Sequence, residues 1–182
     1  MTRPNSKEAI LDAAEAIVIE AGASRMTLDA VAERSGISKG GLMYNFPTKE
    51  ALLEAMIGRM GERLGQLREK ARQELAPGSS NELRVEIRSL QGKSNADHRL
   101  SAALLAVAAN QPELMRALLE DLRDRFLNKI TANGNFTRSS ILYFAALGLH
   151  FHDLLNLSLL DRKQQKEILE ELMRLAGGEE AL

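Results

Sequence analysis

Three hydroxyl residues, Thr27, Ser38 and Thr48, stand where helical patterning begins, and Lys39 and Lys49 directly follow the last two. A hydroxyl at a helix start accepts a hydrogen bond from a first-turn N–H. The remaining N–H groups, with the positive end of the helix dipole, can hold a phosphate. Tyr44 offers another hydroxyl close by. Gly40 and Gly41 lie inside a predicted helix, where glycine costs roughly 1 kcal/mol per residue relative to alanine. Close approach of DNA, with no Cβ in the way, is one gain that offsets this cost. On that reading valine at Gly41 blocks the groove while barely changing the melting temperature. This is phosphate-holding chemistry.

Catalytic chemistry has no comparable constellation. The chain has no cysteine and three histidines, all C-terminal, and it lacks a Gly-rich phosphate loop and a His-Glu-x-x-His pair. No enzyme, cofactor or metal is expected. His150-x-His152 beside Asp153 invites a metal reading, but positions i and i+2 of a helix point about 200° apart. The two rings therefore do not share one ion. No block of like charge suggests a polyanion-coating tail, with 24 basic against 25 acidic residues and a net charge of −1.

The elements that position these residues are helices. The 182 residues are rich in Ala, Leu, Glu and Arg and hold only five Phe, two Tyr and no Trp. Residues 6–21 carry a stripe at Ile10, Ala13, Ala14, Ile17 and Val18, stopped by Gly22. A short helix follows Thr27 and brings Leu28, Val31 and Ala32 inward. Gly36 breaks it, and Ser38 starts another through about Asn45, ended by Phe46-Pro47. Thr48 then caps a long helix with Leu52, Leu53, Met56, Met60, Leu64 and Leu67, stopping before Pro77-Gly78-Ser79-Ser80. Five more helices are expected: residues 82–90, weakly amphipathic; 95–109; one opened by Pro112 and closed by Asn133-Gly134; 138–159, buried on more than one side; and one capped by Asp161. The fold class is all-α with about nine helices. The apolar run 141–160 is as long as a membrane span. It carries His150, His152, Asp153 and Asn156, however, and Asp alone costs about 2.5–3.5 kcal/mol at a bilayer centre. A buried helix is expected, with no membrane partner. Met1 to Ile10 has no apolar leader pattern, so the expected location is cytoplasmic.

Within 27–52, Ala32 allows close crossing of two helices, Gly36 supplies a left-handed turn, and Ile37 and Leu42 anchor the second helix. That is a helix-turn-helix arrangement, whose second helix enters the major groove. On spacing alone a structural corner between two helices remains the alternative.

The run Ser38-Lys39-Gly40-Gly41-Leu42-Met43-Tyr44-Asn45-Phe46-Pro47-Thr48-Lys49-Glu50-Ala51-Leu52-Leu53 resembles the signature of the tetracycline-repressor (TetR) family of bacterial transcription regulators. Thr27-x3-Val31-Ala32-x3-Gly36-Ile37-Ser38 is similar to the part preceding it, and the strong resemblance covers residues 6–55. It implies a homodimer with a head at 1–50 that binds double-stranded operator DNA. Residues 51–182 would then hold a small-molecule effector and the dimer contacts, and repression would be relieved by the effector. It implies phosphate contacts at the helix caps Thr27 and Ser38, with Thr48 in the same set. Lys39, Gly40, Gly41 and Met43 would face the groove, Tyr44 and Lys49 would bind phosphates, and Ile37, Leu42 and Phe46 would hold the head together. Met43 stands where the family commonly has an aromatic and Asn45 where it has His or Tyr; both bear on the operator sequence.

Charge runs against a simple DNA binder. Residues 1–58 carry six basic and eight acidic side chains, a net of −2. A split surface is expected, with Arg3, Lys7, Arg25, Lys39 and Lys49 gathered near the helix starts and weak, strongly salt-dependent non-specific binding. In the C-terminal part, Met60, His98, Asn110, Phe126, Tyr143 and Phe151 are candidate effector-pocket residues. For any single Met or aromatic member, core filling is the favoured reading. The last two long helices are expected to pair with those of a second copy as a four-helix bundle.

Overall fold

Ser6–Ala21 forms α1, Leu28–Ser35 α2, Lys39–Asn45 α3, Lys49–Glu74 α4, Glu82–Leu90 α5 and Asn95–Ala108 α6. Arg116–Arg125 forms α7, Phe136–Leu154 α8 and Arg162–Ala176 α9. This is a computed structural model, and it describes residues 6–75, 81–91, 94–131, 135–157 and 159–178. Among the described residues there is no strand, so the all-α expectation holds. Arg3, the loop 77–80 and Asn133-Gly134 lie outside the described residues. No helix among those described is long and apolar enough to cross a membrane.

The chain packs as two units. The first comprises the described part of 1–61 with Arg99–Leu118. Its core joins Ile10, Ala14 and Val18 of α1, Val31 of α2, Leu42 of α3, Leu52 and Met56 of α4, and Leu100 and Leu104 of α6. The i, i+4, i+8 spacing on α1 is the stripe that turns one helix face inward. Arg59 of α4 meets three carboxylates of α1: Asp12 at 2.5 Å, Glu8 at 3.3 Å and Glu15 at 3.6 Å. The Arg99 guanidinium donates to the Ile19 carbonyl.

The second unit comprises Glu62–His98 and the described part of 119–182. Leu83 and Ile87 of α5, Ile130, Leu142 and Ala146 of α8, and Leu172 of α9 form its core. α5 is not weakly amphipathic, as the sequence suggested; it buries Leu83, Val85, Glu86, Ile87 and Ser89. Glu86 is held there by Arg68 Nε at 2.9 Å and Arg125 Nη2 at 3.1 Å. Two guanidiniums compensate one buried carboxylate, so a charged residue serves an inward face.

Two helix boundaries differ from expectation. Pro112 opens a 3-10 turn, Pro112–Met115, before α7, and a π-turn at Phe126–Ile130 follows it. α8 runs from Phe136 to Leu154 rather than over 138–159, because Asn135 accepts from Arg138 N–H and Asn156 adopts φ 53°. The left-handed residue turns the chain off the helix axis although the leucines continue. Nor is α8 covered on every side within one chain. Ile141, Phe144, Phe151 and Leu155 leave an exposed apolar stripe. α9 begins with a reciprocal cap, Asp161 accepting from Gln164 N–H and the Gln164 side chain from Asp161 N–H.

Candidate nucleic-acid interface

The corner between α2 and α3 is built locally. Thr27 Oγ1 accepts from Ala30 N–H at 3.1 Å, Ser38 Oγ from Gly41 N–H at 3.2 Å, and Thr48 Oγ1 from Ala51 N–H at 3.1 Å. All three hydroxyls therefore cap helices. Gly36 closes α2 at φ 67°, a conformation open to glycine at little cost. Leu42 is fully buried and Phe46 nearly so, with Ile37 packed against the same core. These contacts fix α3 by one side and leave the other to solvent.

The solvent side carries Lys39, Gly40, Met43 and Tyr44. Tyr44 is 91% exposed and Met43 46%, unusual for an aromatic and a thioether in a helix otherwise anchored by its apolar residues. A Cβ at Gly40 would point into open space. Gly41 differs: its Cβ would lie 3.1 Å from Ile37 Cγ2 and 3.3 Å from Ser38 Oγ. This corrects the expectation for Gly41. A branched side chain there needs Ile37 and the Ser38 hydroxyl to give way by a few tenths of an ångström, so the substitution acts on the isolated protein as well as on the groove. Asn45 Nδ2 donates to the Gly41 carbonyl at 2.8 Å and to Ser6 Oγ at 3.5 Å, tying the end of α3 to the start of α1.

The cations are more committed than the expected split surface implied. Lys39 Nζ lies 2.7 Å from Asp29 Oδ1. Arg34 forms a two-pronged pair with Glu20, both contacts 2.5 Å, and that guanidinium draws the Glu20 carboxyl below its ordinary value of 4.5. Lys49 Nζ donates to the Ala23 carbonyl at 3.3 Å. Lys7 Nζ sits 6.0 Å from the Phe46 ring centre. Sequence reasoning missed the part played by Asp29. It is ten positions from Lys39 on another helix, and no periodicity links the two.

The six candidate pocket residues are distributed over both units. Met60 is buried in the first, where Ser101 Oγ approaches its sulfur at 3.4 Å, and Asn110 is exposed with its amide on the Ala106 carbonyl. In the second, Phe126 and Tyr143 share an aromatic cluster with Phe136 and Phe144, the Phe126–Tyr143 centroids being 5.2 Å apart. Burial, and then the Glu86 charge, raises the Tyr143 phenol above its ordinary value of 10.0. The His98 ring meets that of His150 edge-on at 5.4 Å, and Phe151 lies beside His150 at 6.2 Å. Among the described residues of the second unit, one cleft of about 410 Å³ is bordered by Asn81, Lys129 and Arg138, and another of about 430 Å³ by Ile141 and Leu175. None of the six candidates borders either cleft. Among the described residues no group of three or more His, Asp or Glu could hold a metal ion.

An all-helical chain with a glycine-turned corner, capped helix starts and an outward-facing short helix has the architecture of a helix-turn-helix regulator. The model described as "Bacterial regulatory proteins, tetR family" matches residues 10–56, and that described as "Tetracyclin repressor-like, C-terminal domain" matches 82–177. The chain belongs to the tetR family of bacterial regulatory proteins. It is 27% identical over 132 residues to the HTH-type transcriptional regulator BetI of Yersinia pestis (strain Pestoides F), covering 69% of this chain and 64% of BetI. BetI of Yersinia pseudotuberculosis serotype O:1b (strain IP 31758) gives the same values. The chain thus spans 64% of the length of these curated relatives. Among solved structures, SCO1917 of Streptomyces coelicolor A3, a TetR-family member, superposes with a TM-score of 0.73 at 22% identity, covering 93% of this chain and 98% of that one. The multidrug binding protein EbrR complexed with malachite green gives 0.71 at 21% identity, with the same coverages. These likenesses show a shared fold.

Proposed function

We propose that this chain is a sequence-specific DNA-binding transcription regulator, acting as a homodimer and releasing its operator when a small molecule binds. Residues 1–50 are the DNA-reading head and 51–182 the effector and dimer region. The observation that carries the reading is the outward side of α3. Capped helix starts at Thr27, Ser38 and Thr48 border a short helix held from behind by Leu42, while Lys39, Gly40, Met43 and Tyr44 are left to solvent. Backbone N–H groups at the three starts, with Tyr44 and Lys49, position phosphates, and Lys39, Gly40 and Met43 set the groove face, with Gly41 and Asn45 behind them holding the helix in place. BetI, named a transcriptional regulator, supports the same reading.

The stripe Ile141, Phe144 and Phe151 on α8, continued by Leu155 just after its end, is the proposed dimer surface. Two copies joined by a two-fold axis would present two heads to two half-sites. Effector release follows from linkage: a ligand that weakens operator binding is itself weakened by operator to the same factor. EbrR is a multidrug binding protein complexed with malachite green, which makes that dye a first probe for this chain. Titrated into the protein without DNA, it should raise the melting temperature in a concentration-dependent manner.

The competing reading is a helical adaptor that keeps the fold without using DNA, favoured by the net acidic head and by Lys39 and Arg34 lying on carboxylates. Fluorescence anisotropy with duplex from upstream of the protein's own gene, competed with unrelated duplex, separates the two. A regulator binds the upstream duplex preferentially and loses affinity steeply with salt; an adaptor binds neither.

A further inference from the structure

Lys39 is the one charged residue of α3, and its ammonium lies 2.7 Å from Asp29 Oδ1 with the two side chains 63% and 73% exposed. Asp29 occupies the first turn of α2, two residues after the Thr27 cap. An acid there favours the free helix, because it faces the positive end of the dipole. It opposes a phosphate at the same end. One carboxylate thus meets both the cation of α3 and the dipole of α2, the two features that would otherwise attract an incoming phosphate.

We propose that Asp29 is an intramolecular stand-in for the DNA phosphate, an autoinhibitory contact that lowers the head's affinity for any duplex. The inference rests on the DNA-binding reading above. On a duplex of unrelated sequence Lys39 has no cognate base to read and turns to a phosphate instead, so that Asp29 is left without its partner and takes up a cation from solution. Part of the counterion release that normally drives phosphate binding is thereby cancelled. Asp29 therefore makes binding weaker and its dependence on salt shallower than the number of phosphate contacts would give. Glu33, exposed on the same helix, provides a control of equal charge that does not pair with Lys39.

The test uses the full chain and a duplex of unrelated sequence, followed by anisotropy across a salt series, for wild type, Asp29→Asn, Glu33→Gln, Lys39→Ala and Asp29→Asn combined with Lys39→Ala. Circular dichroism checks that each variant is folded. An exposed ion pair corresponds to about 1.5- to 5-fold in affinity per head. Asp29→Asn should tighten binding by about that factor per head and steepen the salt slope by up to about 0.9 per head. Glu33→Gln should do less, and in the Lys39→Ala background the Asp29→Asn effect should shrink to the part that acts through the α2 dipole. Equal effects of Asp29→Asn and Glu33→Gln, or an Asp29→Asn effect undiminished by Lys39→Ala, overturn this inference alone. A chain that binds no duplex in any of the five forms overturns the DNA reading, and this inference with it.

Discussion

Replacing Gly40 by alanine separates what the α3 backbone needs from what a DNA groove needs. Gly40 lies in the first turn of α3, its φ is not positive, and an added Cβ meets no atom within 4 Å. Nothing in the isolated protein resists the methyl group, so the helix gains roughly 0.5–1 kcal/mol from the smaller entropy of the unfolded chain. For a chain of this length that corresponds to about 1–4 °C in melting temperature. Against DNA the sign reverses. If α3 seats with its glycine backbone against the groove, the methyl overpacks a close contact at about 1–3 kcal/mol. That is roughly a 5- to 150-fold loss of affinity per head. Thermal denaturation of the free protein and anisotropy with upstream duplex measure the two effects on one preparation. Stabilisation with affinity unchanged within about twofold would refute a groove-facing Gly40. Gly41→Val is a poorer test, because Ile37 and the Ser38 cap stand in the way.

Lys49→Ala should weaken all duplexes about uniformly and make the salt slope of a dimer shallower by roughly 1.8, as measured by anisotropy. An unchanged slope would assign Lys49 only to its bond with the Ala23 carbonyl. Ile141→Glu places a charge at a residue 63% exposed on the α8 stripe. Sedimentation should show monomers with unchanged helix content, and a persisting dimer would remove the stripe from the interface. Glu86→Ala leaves the Arg68 and Arg125 guanidiniums without their shared carboxylate. The expected loss is about 3–5 kcal/mol in denaturant unfolding, and a loss under 1 kcal/mol would mean that water replaces the carboxylate.

Local chemistry was legible in the sequence where a residue and its partner are three or four positions apart. Thr27, Ser38, Thr48 and Asp161 are legible as caps because a cap bonds within its own first turn. Gly36 was read as a turn because few other residues adopt its φ at low cost. The end of α8 was not legible. Leu155, Leu157 and Leu159 prolong the apolar pattern, but Asn156 has already left the helix. Apolar residues do not distinguish a core face from one awaiting a second chain. Charged pairs across elements were least legible. Neither Glu86, buried between two arginines on a nine-residue helix, nor the Asp29–Lys39 contact leaves a periodic trace. The second contact changes how the net charge of the head is understood, since Lys39, expected on the basic side, lies on a carboxylate.

On the proposed function, two heads of this protein read DNA as a symmetric pair. Footprinting of the DNA upstream of its own gene, at moderate salt with excess unrelated competitor, tests it most directly. Two protected half-sites related by a dyad are expected, their centres one helical turn of about 10–10.5 base pairs, or a multiple of it, apart. Lys39→Ala combined with Lys49→Ala should abolish that protection. An unprotected upstream region at low salt, or protection untouched by the double substitution, would contradict it.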